Sequence, residues 1–317
     1  MVTLDDVLLA RDRIKGKVIE TPVIRAHKLE KLFNGAQIYL KLENFQIAGS
    51  FKIRGAVNKI FSLSKDQISK GIVAASSGNH AQAVAYTSSL VGSKAIIIMP
   101  NDAPKIKVEG TKYYGAEVIL YGYTGEDREG KAFELANKNG STFINSHADP
   151  YVISGQGTAA LEFMNQVPDL DVIITPCGGG GLTSGTLISV CETNKHIKVI
   201  AVEPKGVPRF TESLKNGKPV TVPLGQTLAD GLRVSKADDV NFEIIKKYGP
   251  EIILQDDRYI LEALKEMLLM QKILIEPSSA IVFAAMMNGK IDTSMGKKIG
   301  VIISGGNIDG VLLKKIL

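Results

Sequence analysis

The chain is short of the residues on which several kinds of protein depend. Only two cysteines, Cys177 and Cys191, occur in 317 residues. They form neither a metal-binding spacing nor a disulfide framework. A reducing cytoplasm is therefore the expected home, and both are read as small core residues. The four histidines, His27, His80, His147 and His196, show no HExxH-type spacing, which leaves a zinc centre without support. No apolar run approaches the roughly 20 residues that cross a bilayer. The opening segment MVTLDDVLLARDRIKGK is charged early and carries no apolar signal-peptide core. No block of Lys or Arg stands behind the net charge of +5. Nucleic acid is accordingly not expected as a partner, and neither is a membrane. Internal repeats, low-complexity tracts and long linkers are absent as well.

What is present is a rhythm. Thr3 is placed to cap a first helix, with Asp5 and Asp6 in its first turn and an end near Ile14. Thr21-Pro22 then reads as extended. Short β-rich runs follow at 37–42, 71–76, 95–100, 116–121, 141–145, 171–176, 198–203, 251–254 and 298–304. Helix-period stretches lie between most of them, among them 81–92, 125–140 and 259–274. Near-continuous apolar strands alternating with helices predict an α/β protein, with mainly parallel sheets flanked by helices. In 317 residues there is room for two domains.

Ligands of such sheets gather at the carboxyl ends of the strands, and that is where the unusual residues fall. Ser76-Ser77-Gly78-Asn79-His80 follows one run, Gly178-Gly179-Gly180-Gly181 another, and Ser304-Gly305-Gly306-Asn307 the last. Consecutive glycines let backbone N–H groups converge on an anion, and the dipole of a following helix adds to the pull. No Lys-Ser/Thr follows the glycines, so this is not a Walker A loop. The Ser76–His80 turn suits a carboxylate, although Ser77 or Asn79 would equally serve as a plain helix cap. No acid–histidine companion to Ser77 lies nearby in sequence, so a hydrolase triad has no positive support.

Within Gly49-Ser50-Phe51-Lys52, Lys52 has Ala48, Gly49 and Phe51 as candidate apolar walls. A lysine must lose its proton to attack a carbonyl, which a desolvating pocket promotes. Alone, Lys52 reads as a solvated side chain at a helix start. Together with a phosphate-cradling loop it is the minimal equipment for holding pyridoxal 5′-phosphate. A rival reading occupies the same loop: Gly179-x-Gly181-x-x-Ser184 approaches the dinucleotide fingerprint, with Glu203 where a ribose-binding acid would sit. That reading implies an NAD(P)-binding oxidoreductase. It leaves Lys52 and the two other polar turns unexplained. A non-catalytic amino-acid-binding protein is a further alternative.

GSFKIRGA, SSGNHAQAVA, ISGQGTAALE, PCGGGGLTSG, LADGL, EPSSA and SGGN, taken together and in order, resemble the fold-type II pyridoxal-phosphate enzymes. They are most similar to the serine/threonine dehydratase and serine racemase branch, over essentially the whole chain. The resemblance implies two open twisted, mainly parallel sheets of the tryptophan synthase β type, with the active site between the domains. Residues 1–66 and 150–317 would form a large cofactor-binding domain, and 67–149 a small domain closing over the substrate. It also implies a homodimer.

Carried over by position, Lys52 is the lysine that bonds the cofactor and Phe51 packs against its ring. Asn79 bonds the ring hydroxyl, Gly178, Gly179, Gly180 and Gly181 hold the phosphate, and Ser304 faces the pyridine nitrogen. Ser76, Ser77, Asn79 and His80 form the turn that receives the substrate carboxylate. Arg128 falls where the racemases carry an arginine near the substrate, and Glu276 matches an acidic residue near the active site. Ser77 is the group opposite the lysine; many threonine deaminases have alanine there, so its presence leans toward the racemases. The implied reaction is β-elimination of L-serine or L-threonine to a 2-oxo acid and ammonia, with serine racemisation as a companion. 3-Hydroxyaspartate dehydration, another racemisation or a β-replacing synthesis are alternatives on the same scaffold.

Three positions depart from the pattern. Glu203 matches a ligand of the family's divalent cation, but Arg209 stands where an aspartate is expected. A guanidinium cannot ligate a cation, which counts against a metal site. His147 replaces an aromatic residue or Asn over the cofactor, and Val234 replaces a polar residue near the substrate.

Overall fold

The short apolar runs fold into ten strands in a computed structural model that describes residues 1–295 and 298–317. They are β1 Val23–Arg25, β2 Gln37–Leu42, β3 Ile72–Ala75, β4 Ala95–Met99, β5 Glu117–Leu120, β6 Thr142–Phe143, β7 Val172–Pro176, β8 Lys198–Pro204, β9 Glu251–Gln255 and β10 Lys298–Ile303. Two sheets result. One has six strands in the order β1-β2-β10-β7-β8-β9, the other four in the order β5-β4-β3-β6. Every pairing is parallel except β1 with β2. The expected α/β architecture of two mainly parallel sheets is what the chain adopts.

The near-continuous apolar character of the strands has a direct cause. Side chains alternate between faces, and both faces of each sheet are covered. In the large sheet Ile174, Ile200 and Ile303 join a core with the helix Pro277–Met287, while Ile173, Ala201 and Ile302 join another with Phe163, Leu187 and Ile188. In the small sheet Ile72, Ala74 and Ile97 pack with Val84, Ile53 and Val57. Val73 and Ile98 pack on the other face with Ala132 and Ala136 of the helix Gly125–Asn139.

The first helix, Leu4–Ile14, is capped by Thr3, and Thr3 with Asp6 forms a reciprocal capping box. The 259–274 pattern yields a shorter helix than expected, Ile260–Leu269. Beyond it Lys272 takes a positive φ of 64°, and the chain turns back so that Ile273 and Ile275 enter the core.

The neighbours β2, β10 and β7 run parallel. Their carboxyl ends therefore deliver Glu43, Ser304 and Cys177 side by side on one rim of the six-stranded sheet. The four-stranded sheet draws all its strands from 72–143, and β3 ends at the Ser76 turn.

Candidate active site

Lys52 opens the helix Lys52–Ile60. Ser50 pairs as a β-bridge with Gly305, and the Phe51 N–H donates to the Ser304 carbonyl at 3.0 Å. The start of the helix is thus pinned to the carboxyl end of β10. Two residues on, the fully buried Arg54 grips Glu43 at 2.7 and 2.8 Å and Glu162 at 2.7 Å through both oxygens, and Lys41 bonds Glu162 at 2.9 Å. Removing one member of such a buried network costs about 3–5 kcal/mol, so it holds the helix in one setting.

The Lys52 Nζ donates to the Ser146 carbonyl at 2.7 Å and lies 5.2 Å from the Phe51 ring centroid. Burial pulls its pKa down to about 8, against the opposing charge of Glu276. A lysine tuned in this way reaches its neutral, nucleophilic form close to physiological pH.

Ser76, Ser77 and Gly78 make the turn between β3 and the helix Asn79–Leu90. The Ser76 hydroxyl accepts from the Gly78 N–H at 3.2 Å. Ser77 is partly exposed, and among the described residues its hydroxyl has no partner within the chain. The Asn79 amide donates to both oxygens of Glu276 at 2.9 and 3.0 Å and accepts from Asn307 at 2.8 Å. Glu276 is buried, which raises its carboxyl to about 7 despite the Asn79 bonds. His80 is buried too. Burial, and then the nearby Lys52, lower it to about 3, so its ring is neutral. Its Nε2 lies 3.0 Å from the Ile144 carbonyl and must carry the proton, while Nδ1 has no partner among the described residues.

The four glycines join β7 to the helix Gly181–Thr193. Gly180 has a φ of +92°, a conformation that L side chains rarely adopt, and a Cβ there would stand 2.6 Å from the Phe210 ring. A Cβ on Gly179 would overlap the His147 ring. Among the described residues no N–H of Gly178–Gly181 finds an acceptor within the chain. Their carbonyls are held from behind: Arg209 donates to Cys177 at 2.7 Å and to Gly178, and Asn241 donates to Gly179 at 3.0 Å.

Ser304 is buried at the end of β10, with its hydroxyl 2.8 Å from that of Ser279. The His147 Nε2 lies 2.7 Å from the Asp238 carboxylate, and Nδ1 2.6 Å from the Ser146 hydroxyl. Arg128 stands apart from this group, at the start of the helix Gly125–Asn139, where it contacts the Tyr123 carbonyl at 3.4 Å. Burial lowers its pKa. Its neighbour Glu129 is raised by burial, with the charge of His147 opposing and that of Asp238 adding to the shift. Lys107, from the helix after β4, reaches across to Asp230 at 2.7 Å.

A family model described as pyridoxal-phosphate dependent enzyme matches residues 14–305. The chain belongs to this family. It is 41% identical over 317 residues to an L-threonine ammonia-lyase of Thermotoga maritima, covering 100% of this chain and 78% of that one. It is 39% identical over 307 residues to an L-threo-3-hydroxyaspartate ammonia-lyase of Saccharomyces cerevisiae, covering 97% and 94%. The solved structure of maize serine racemase superposes with a TM-score of 0.95 at 39% identity, covering 99% of this chain and 96% of that one.

The residues fit the cofactor of the family. A low-pKa lysine is available to its aldehyde, and among the described residues the N–H groups of four consecutive glycines have no acceptor within the chain, in a loop packed too tightly at Gly179 and Gly180 for a Cβ. The dinucleotide reading loses its ribose acid. Both oxygens of the buried Glu203 are taken by the Phe210 N–H at 2.9 Å, the Thr211 N–H at 3.1 Å and the Thr211 hydroxyl at 2.9 Å. Nor do the residues fit a divalent cation. Arg209 fills the space beside Glu203, and no cluster of three His, Cys, Asp or Glu able to hold a metal exists among the described residues.

Sequence reasoning overlooked the Ser146 carbonyl, Asp238, Asn241 and Ser279 as parts of the site. LADGL and EPSSA did mark Asp230 and Ser279 as lying in noteworthy segments, without a role for either. Asn241 and Asp238 carry no local signal.

Proposed function

We propose that the protein is a pyridoxal-phosphate-dependent ammonia-lyase. It converts L-serine or L-threonine to a 2-oxo acid and ammonia, with serine racemisation as a second outcome. Glu276 is the observation that carries this reading: it bonds Asn79 of the Ser76–His80 turn, and its charge acts on Lys52. One carboxyl group therefore links the Ser76–His80 turn to the tuned lysine. The relatives with threonine ammonia-lyase and serine racemase activity support it.

When bound, the cofactor supplies an electron sink that acidifies the α-hydrogen of the amino acid. The rest falls to the chain. The N–H groups of the turn at the helix N-terminus take the substrate carboxylate. His80 contributes its backbone there, because its ring proton is committed to Ile144. Lys52, once neutral, accepts the α-proton on one face. Ser77, with its free hydroxyl, delivers a proton on the other, which converts elimination into racemisation. Phe51 would pack against the cofactor when it is bound. Ser304, whose hydroxyl lies 2.8 Å from that of Ser279, would offer the cofactor a neutral hydroxyl rather than a charge. Residues 67–149 close as a unit over residues 1–66 and 150–317. We infer a homodimer from the same family resemblance, and a cytoplasmic location from the two cysteines without a disulfide framework.

A second reading, 3-hydroxyaspartate as substrate, is favoured by the half-buried Arg128, a cation suited to a second carboxylate, whose neighbour Glu129 feels the charges of His147 and Asp238. Purified enzyme offered L-serine, L-threonine, D-serine and L-threo-3-hydroxyaspartate separates the two. 2-Oxo acid formation fastest from the monocarboxylic substrates supports the first reading, and formation confined to hydroxyaspartate supports the second.

A further inference from the structure

Arg209 is fully buried, yet its guanidinium gathers oxygen atoms. It donates to the carbonyls of Val207 at 2.9 Å, Cys177 at 2.7 Å and Gly178, and it stands 3.6 Å from the Glu203 carboxylate. Several carbonyls and a carboxylate around one positive centre is the kind of oxygen-rich surrounding that a hard divalent cation prefers. Here the charge is covalently part of the chain.

The direction of these bonds matters. In a trans peptide the N–H points opposite to the preceding C=O, and the chain contains no cis peptide among the described residues. Drawing the Cys177 and Gly178 carbonyls toward Arg209 therefore turns the N–H groups of Gly178 and Gly179 away from it. Asn241 does the same for the N–H of Gly180 through the Gly179 carbonyl. These are the N–H groups that lack acceptors among the described residues. The Phe210 ring, next in sequence, sits against Gly180 and closes the back of the loop.

We propose that Arg209 is the positioning residue of the phosphate loop: a built-in cation that sets the peptide planes of Cys177–Gly179 and makes a divalent metal unnecessary for cofactor binding. The proposal rests on the reading of Gly178–Gly181 as the phosphate site. It differs from a general stabilising role in one respect: its effect falls on the phosphate.

The test compares the affinities of apo wild type, Arg209→Lys and Arg209→Ala for pyridoxal phosphate and for pyridoxal, which lacks the phosphate. Fold integrity is checked by circular dichroism. Charge-assisted hydrogen bonds of this kind lead us to expect a loss in pyridoxal phosphate affinity on the order of 10- to 100-fold in Arg209→Ala. The loss should be smaller in Arg209→Lys, which keeps the charge without the fork, and pyridoxal affinity should change little in both. Should Arg209→Ala fail to fold, the lysine variant and the wild type carry the test. Wild-type melting temperature and cofactor affinity should be unmoved by Mg²⁺, Ca²⁺ or EDTA. An equal loss for both ligands, unchanged phosphate affinity in the folded variants, or cation-dependent stabilisation of the wild type would overturn the proposal. A wild type without a borohydride-sensitive visible band would instead remove the functional reading on which it rests.

Discussion

Asn79 and Glu276, 197 residues apart, are joined by two hydrogen bonds of 2.9 and 3.0 Å between one amide and one carboxyl group. The bond ties the turn after β3 to the large sheet's unit beside Lys52. It also keeps a carboxyl group in a site that raises it to about 7.

That shift has a signed consequence for the apo protein. A carboxyl group whose pKa rises on folding holds its proton more tightly in the folded state. Its contribution is fully present below the ordinary value of 4.5 and is lost as pH climbs to about 7. Glu276→Gln removes the titration. The stability of wild type relative to this variant should fall between pH 4.5 and 7, by on the order of 3 kcal/mol. Denaturant unfolding of both apo proteins at several pH values measures it; parallel profiles would contradict it.

Ser77→Ala should reduce racemisation far more than elimination, because only the former needs a proton on the face opposite Lys52. Loss by a factor of about 10² in racemisation is the scale expected for one acid–base group. Chiral chromatography of serine alongside 2-oxo acid release gives both rates. Equal loss of the two would remove the assigned role.

Lys107 and Asp230 bridge the helix after β4 and the segment between β8 and β9 at 2.7 Å, with the Asp230 side chain 58% exposed. With one partner so exposed, the pair adds about 0–1 kcal/mol to stability. Lys107→Ala should leave the melting temperature nearly unchanged while raising KM up to about fivefold, by loosening closure over the substrate. A large fall in stability with an unchanged KM would show that the pair serves the fold instead.

The architecture was legible because β3, β7 and β10 are apolar runs ending in polar, glycine-rich turns, and burial on both sheet faces writes itself into consecutive residues. β1 was not legible: it is three residues long, follows Pro22 and pairs antiparallel at the sheet edge, so no face pattern could develop. The phosphate loop showed its glycines but not what holds them, since Arg209 and Asn241 act on backbone carbonyls from 31 and 62 residues away. Arg209 was visible as an obstacle to a metal; only the folded chain shows the carbonyls it binds. His147 and Asp238 likewise meet only through topology.

The central claim, that Lys52 carries pyridoxal phosphate, is tested most directly by the visible absorbance spectrum of wild type and Lys52→Ala after incubation with the cofactor, before and after borohydride. The account predicts a band in the wild type that borohydride abolishes, no such band in the variant and no turnover by it. A wild type that stays colourless, or a Lys52→Ala protein that keeps both the band and normal activity, would contradict it.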